Sequence, residues 1–225
     1  IIEIALLAEV QAIHPGYGFL SENPEFAEAC EQNSLIFIGP SPHVIREMGI
    51  KTRAKQLMET AGLPTIPAYW GKHTNGGSSL FAQAEKVGFP LLVKADRGGG
   101  GKGIRKLEQA NESDFIEAVE AVQREAASAF GDTALMLEKF IVSARHVEVQ
   151  VFRDTHGNAV HLFTRDCSMQ RRHQKVIEEA PAPNLPPLLL EAIHQAGVTA
   201  ANAIDYVGAG TVEFLVTPDN AFYFL

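Results

Sequence analysis

Apolar positions recur along this chain with two periods, and the change from one to the other marks out the elements. Residues 1–9 read as the end of a helix, and Gln11 to His14 as a strand. Asn23 followed by Pro24 predicts a helix start, with Asn at the cap and Pro at the first helical position. That helix runs to about Asn33, with Phe26 and Cys30 four apart on one face. Leu35 to Ile38 predicts a buried strand closed by Gly39-Pro40. A strand–helix–strand alternation implies parallel strands.

Beyond Pro42 the pattern changes. Helices are predicted over 43–48, 51–61 and 79–87, with a strand near 65–70. The apolar run Pro90 to Val93 ends in Lys94, six residues Gly98 to Gly103 follow, and Ile104 to Leu107 reads as a second strand. Phe115, Val119, Val122 and Ala126 recur at helical spacing within 111–130. Strands are expected over 134–140, 146–152 and 158–164, then a helix over 186–206 and strands over 210–217 and 221–225. Antiparallel strands with helices on one face make an α+β body. Pro and Gly cluster between 40 and 49, dividing the chain into 1–47 and 48–225.

Composition narrows the classes of function. With 225 residues, 46% hydrophobic and 20% charged, the chain has the make-up of an ordinary globular protein. No stretch of about 18 apolar residues suits a membrane span. The apolar start carries Glu3 and Glu9 and lacks a basic flank, so it does not read as a secretory signal. Without an initial Met, it reads as the start of a fragment. A net charge of −8 gives no footprint for nucleic acid. Cations cluster locally instead, around 94–106 and 165–175, which suits a small anionic ligand. Cys30 and Cys167 form neither a disulfide framework nor a zinc spacing, and fit a reducing compartment.

The glycine run is the strongest chemical signal. Serial glycines let backbone N–H groups close over an anion, and Lys94 and Lys102 add charge. Gly103 after Lys102 excludes a Walker A loop, and the strand that follows excludes a dinucleotide turn. Two readings remain: a flap over a nucleotide, or a loose surface hairpin. Strict alternation in His146 to Val151 puts His146, Glu148 and Gln150 on one face, either wet or lining a site. Arg165 to Lys175 packs many donors into one segment, for an anion or as a solvated loop. Glu213 sits among Val212, Phe214 and Leu215, as a ligand to a divalent cation or as half of a structural ion pair. Glu138 and Lys139 end a strand that can meet an adenine edge, with Glu138 accepting from the amino group.

Taken together, the segments AIHPGYGFLSEN (12–23), FIGPSP (37–42), MGIK (48–51), GGGGKG (98–103), EKF (138–140), RHVEVQV (145–151), RDCSMQRRHQKVIEEAPAP (165–183) and GAGTVEF (208–214) resemble the biotin carboxylase component of biotin-dependent carboxylases. The resemblance implies an ATP-grasp fold preceded by part of an α/β, Rossmann-like N-terminal domain. It implies that Lys51 and Lys94 contact ATP phosphates, and that Gly98, Gly99, Gly100, Gly101 and Gly103 form the lid. Ile104 stands where a Met commonly packs on adenine. Glu138, Lys139, Phe140 and Ile141 match the adenine-reading hinge, and Leu215 an apolar face of that pocket. His146, Gln170 and His173 match nucleotide-site positions, Lys175 a lysine that holds bicarbonate, and Glu213 a ligand to Mg²⁺ or Mn²⁺.

The implied partners are bicarbonate, biotin on a carboxyl carrier domain, and a carboxyltransferase subunit, within an oligomer. The implied location is the bacterial cytoplasm or the mitochondrial matrix, without secretion. Arg97 before the glycines, MGIK, and EVQVF with HGNAV are most similar to the α subunits of 3-methylcrotonyl-CoA carboxylase. Family members continue past the position of Leu225 into a second metal-ligand carboxylate, an Asn, an Arg and a general-base Glu. The resemblance therefore implies a fragment incomplete for turnover. Two alternatives remain: another ATP-grasp ligase, such as a carbamoyl-phosphate synthetase, and a nucleotide-binding fragment without turnover.

Overall fold

The computed structural model describes residues 1–70, 77–97, 103–171 and 174–225. Gly98 to Gly101, Lys102 and His173 lie outside the described residues. At the N-terminal end, helix α1 (Ile2–Leu7) and helix α2 (Pro24–Gln32) flank two short parallel strands, β1 (Ala12–Ile13) and β2 (Ile36–Phe37). Asn23 caps α2 as its sequence predicts, its Oδ1 accepting from Phe26 N at 2.6 Å. Ala5, Cys30 and Leu35 form a small core there. The expectation of a buried strand over 35–38 holds for Leu35 alone. Ile36 is 63% exposed and Ile38 49%, because nothing among the described residues packs on that face of the two-stranded sheet.

Helix α3 (Pro42–Met48) leads into α4 (Lys51–Thr60). A four-stranded antiparallel sheet follows in the spatial order β3 (Ala68–Tyr69), β6 (Leu135–Lys139), β4 (Leu91–Ala95), β5 (Ile104–Leu107). Strands β4 and β5 pair from Leu91 with Leu107 to Lys94 with Ile104, so the glycine run does connect a hairpin. Helices α5 (Gly77–Val87) and α6 (Glu112–Phe130) cover one face, and Leu91, Val93, Phe115, Val122 and Leu137 lie in that core. Asn111 caps α6 by accepting from Ser113 N and Asp114 N, and Gly131 ends it in the left-handed region at φ 67°.

The second sheet has five antiparallel strands in the order β11 (Phe222–Phe224), β10 (Gly208–Val216), β7 (Arg145–Arg153), β8 (Ala159–Arg171), β9 (Gln174–Glu179). Helix α7 (Pro187–Ala203) packs on one face. Val147, Val149 and Val151 point into that core with Phe214 and Ile193, as the period of two requires. The donor-rich segment is not a loop within its described part. Strand β8 carries on through Arg171, and Gln174 opens an edge strand that returns beside it.

Helix α4 joins the two halves. Asp96, just after β4, accepts from Thr52 N and Thr52 Oγ1, both at 2.9 Å, and so caps the start of α4, which has no capping side chain of its own. Met58, two turns on, lies in the core of the five-stranded sheet.

Candidate functional site

Two clusters of charge stand on the sheet faces turned away from α5, α6 and α7. The first is built by β4 and β6. Leu91, Val93, Leu135 and Leu137 are core residues, so Lys94 and Glu138 share the opposite face. Glu138 bridges two cations: Lys55 Nζ donates to Oε1 at 3.0 Å, and Lys94 Nζ donates to Oε2. All three side chains are nearly inaccessible. Burial pushes the Glu138 carboxyl up, but the charges of Lys94 and Lys55 outweigh it and leave the group below its ordinary range. Lys51 approaches the carbonyl of Asp96 at 3.5 Å. Burial first, and repulsion from Lys94 second, hold its ammonium below the usual lysine range.

Glu138, expected to accept from an adenine amino group, gives each of its carboxylate oxygens to a lysine beneath the sheet surface. The neighbouring groups are also engaged. Lys139 donates from its backbone to Pro67 O at 2.9 Å and from Nζ to Phe89 O at 2.5 Å. Phe140 N donates to Pro90 O at 3.0 Å, and Lys106 Nζ stands 3.8 Å from the centre of the Phe140 ring. Ile141 is half-buried. Ile104 faces Lys94 across β4 and β5. Gly103 adopts φ 65°, and a Cβ there would lie 3.0 Å from the Cβ of Ala95. Its N–H donates to Glu125 Oε2 at 3.2 Å.

The second cluster is set by strand register. Glu213 on β10 lies opposite Glu148 on β7, and Glu148 lies opposite Arg165 on β8. Facing carboxylates repel. Lys175 relieves them: its Nζ donates to Glu148 Oε2 and, at 2.5 Å, to Glu213 Oε1. Arg165 Nε donates to Glu148 Oε1 at 2.5 Å, and Arg165 Nη1 to Gln150 Oε1 at 3.1 Å. The two carboxylates raise the Lys175 ammonium above its usual range, although burial opposes them. His146, beside Leu215 in the next register pair, approaches Glu213 Oε2 with Nε2 at 3.6 Å. Its Nδ1 is 2.8 Å from Gln170 Nε2, which also donates to Cys167 O at 2.8 Å. Glu213 is held at about 2, first by the nearby His146 and also by Lys175, against burial.

The Glu213 side chain is 35% exposed, whereas that of Glu148 is inaccessible. Ligand atoms of His146, Glu148 and Glu213 lie within 4.8 Å of one another. Of these, Glu148 is saturated by Arg165 and Lys175. Glu213, ionised and open on one side, fits a hard divalent cation as a single carboxylate ligand. Lys55 and Asp96 are residues that sequence reasoning did not single out, whereas Glu148 and Arg165 stood there only as members of an alternating face and a donor-rich segment. Lys51 and Lys55 stand one turn apart on α4, and Glu148 lies on the alternating face of β7, so those two had a signal.

Residues 1–45 match the family description "Biotin carboxylase, N-terminal domain" and residues 51–225 match "Carbamoyl-phosphate synthase L chain, ATP binding domain". The chain belongs to the biotin carboxylase family. Over its whole length it is 54% identical to the mitochondrial methylcrotonoyl-CoA carboxylase subunit alpha of Dictyostelium discoideum, and it covers 32% of that relative. A biotin carboxylase–β-γ-ATP complex from Campylobacter jejuni superposes with a TM-score of 0.94 at 47% identity. The match covers 99% of this chain and 49% of the other. The biotin carboxylase domain dimer of Hydrogenobacter thermophilus 2-oxoglutarate carboxylase, a complex with MgADP, ADP and bicarbonate, gives 0.92 at 43% identity. That match covers the same two fractions. The chain thus spans about a third to a half of the length of these biotin carboxylase relatives. The fold is the ATP-grasp fold, as its motifs imply. No helix among the described residues is long and apolar enough to cross a membrane.

Proposed function

We propose that the protein carrying this chain uses ATP to carboxylate biotin with bicarbonate through carboxyphosphate. The observation that carries the reading is Lys175, held between Glu148 and Glu213 beside His146. An ammonium group has three donors, and these carboxylates take two. The third suits bicarbonate. On the other sheet, Lys51 and Lys94 offer charge to the phosphates of ATP, with Gly98 to Gly103 as the lid over them. Phosphoryl transfer asks mainly for positioning and charge neutralisation, which lysines supply. Mg²⁺ or Mn²⁺, held by Glu213, would neutralise phosphate charge when bound. Bicarbonate oxygen attacks the γ-phosphorus and ADP leaves. Carboxyphosphate then yields carbon dioxide and phosphate, and the deprotonated ureido nitrogen of biotin takes up the carbon dioxide.

Residues 1–47 belong in this reading to the N-terminal domain and 48–225 to the ATP-grasp domain. Leu215, Ile104 and residues 138–141 line the adenine side, the last through backbone rather than the Glu138 carboxylate. Gln170 and His173 complete the nucleotide site with His146. The carrier domain and a carboxyltransferase subunit are the partners, in an oligomer. MGIK, Arg97 and the 54% identity favour 3-methylcrotonyl-CoA as the final acceptor. That relative is mitochondrial, which favours the matrix for a eukaryotic parent and the cytoplasm for a bacterial one. A carbamoyl-phosphate-forming ligase activates bicarbonate in the same way and differs in its acceptor, ammonia. The match over residues 1–45 supports biotin instead. The test is phosphate release from ATP by the full-length protein. Release should require both bicarbonate and biotin; stimulation by ammonia in place of biotin contradicts the reading.

A further inference from the structure

Lys55 has no place in the nucleotide site described above, yet it is built into it. It follows Lys51 by one turn of α4, so the two share a helix face. Its side chain is only 5% exposed. Lysine is almost never buried to that degree without a partner. The partner is Glu138, which also holds Lys94, so one carboxylate serves two ammonium groups.

In such poorly hydrated surroundings the count of charges decides what the cluster attracts. Lys55 and Lys94 against Glu138 leave one positive charge over. Without Lys55, Lys94 and Glu138 cancel, and the carboxylate competes directly with any phosphate for Lys94. Asp96 keeps its charge while accepting from Thr52, but Lys51 stands against it, so that pair leaves the count at Glu138 unchanged. We propose that Lys55 is a positioning residue that neutralises Glu138 and so keeps the charge of Lys94 available to a nucleotide phosphate. This inference rests on the ATP reading above.

The experiment is a calorimetric titration of ATP into the full-length protein and three variants. Lys55→Met keeps the length of the stem and removes the charge. It should raise the ATP dissociation constant about tenfold to a hundredfold, the equivalent of one charge-assisted contact. Lys55→Arg should bind ATP nearly as the parent does. Lys55→Met combined with Glu138→Gln removes cation and anion together, and should bring the constant back to within about threefold of the parent. A lysine that only fills space gives no such recovery. An unchanged constant in Lys55→Met overturns the inference, and so does a double variant that still binds tenfold or more weakly. The double variant leaves Lys94 as the one charge of the cluster, with the neutral amide oxygen introduced at position 138 to accept from it, so it carries the test even where Lys55→Met fails to fold. A parent protein that does not bind ATP overturns the nucleotide reading itself. Binding by the parent with no effect of Lys55→Met overturns the role of Lys55 alone.

Discussion

Glu213 and Glu148 face each other across paired strands, and Lys175 offsets their repulsion by donating to both. A cation at Glu213 would have to share or displace that bond. Glu213→Gln is close to isosteric and should leave the fold intact while abolishing Mg²⁺-dependent turnover in the full-length protein. Turnover measured against rising Mg²⁺ decides this, and ordinary activity at ordinary Mg²⁺ removes Glu213 from the site. The same carboxyl carries a pH signature in metal-free protein. Its folded value of about 2 lies below the ordinary 4.5. Its contribution to stability is therefore complete above the ordinary value and is lost as the pH falls through the folded one. Melting curves between those limits should fall less steeply for Glu213→Gln than for the parent. At this scale the sequence singled out Lys94, Lys175 and Glu213 through their motifs, and the structure sets them in two charge clusters. It did not reveal that Glu138 binds lysines, because Lys55, Lys94 and Glu138 are brought together only by tertiary packing.

Helix α7 and strand β7 approach each other closely. Gly197 packs so closely on Val149 that a Cβ on it would stand 2.8 Å from Val149 Cγ1 and 2.9 Å from Val149 Cβ. Gly197→Ala should cost about 1–3 kcal/mol of stability by overpacking. Chemical unfolding measures this, and a neutral result means that α7 shifts away from the sheet. The helices were legible because their caps and periods agree, as at Asn23 and Asn111. The strands were legible where one face is buried, as at Val147, Val149 and Val151. Edge strand β9 was not, because Val176 and Ile177 are exposed at 62% and 60% and its charged residues hide the alternation. The exposed face of β2 escaped notice for the converse reason: Leu35 to Ile38 is uniformly apolar, which sequence reads as burial on both sides.

On the scale of the whole molecule, two sheets each carry helices on one face and charge on the other. Helix α4 bridges them, with Lys51, Thr52 and Lys55 held at one end by Asp96 and Glu138, and Met58 packed into the core at the other. In the function proposed above, that arrangement divides the labour: one sheet supplies lysines for phosphate, the other a lysine for bicarbonate and a carboxylate for metal. The fold class was legible from the order of the elements, but the bridge was not. A helix with polar residues at its start and Met58 near its end has no period that says which sheet each part meets.

The central claim is that bicarbonate oxygen, not water, attacks the γ-phosphate. Its most direct test gives the full-length protein ¹⁸O-labelled bicarbonate, ATP and biotin, and follows the label by mass spectrometry. Carboxyphosphate retains the attacking oxygen on phosphorus when carbon dioxide leaves, so one label should appear in each inorganic phosphate released. Phosphate free of label, with the heavy oxygen found only in carboxybiotin and solvent, would contradict the account.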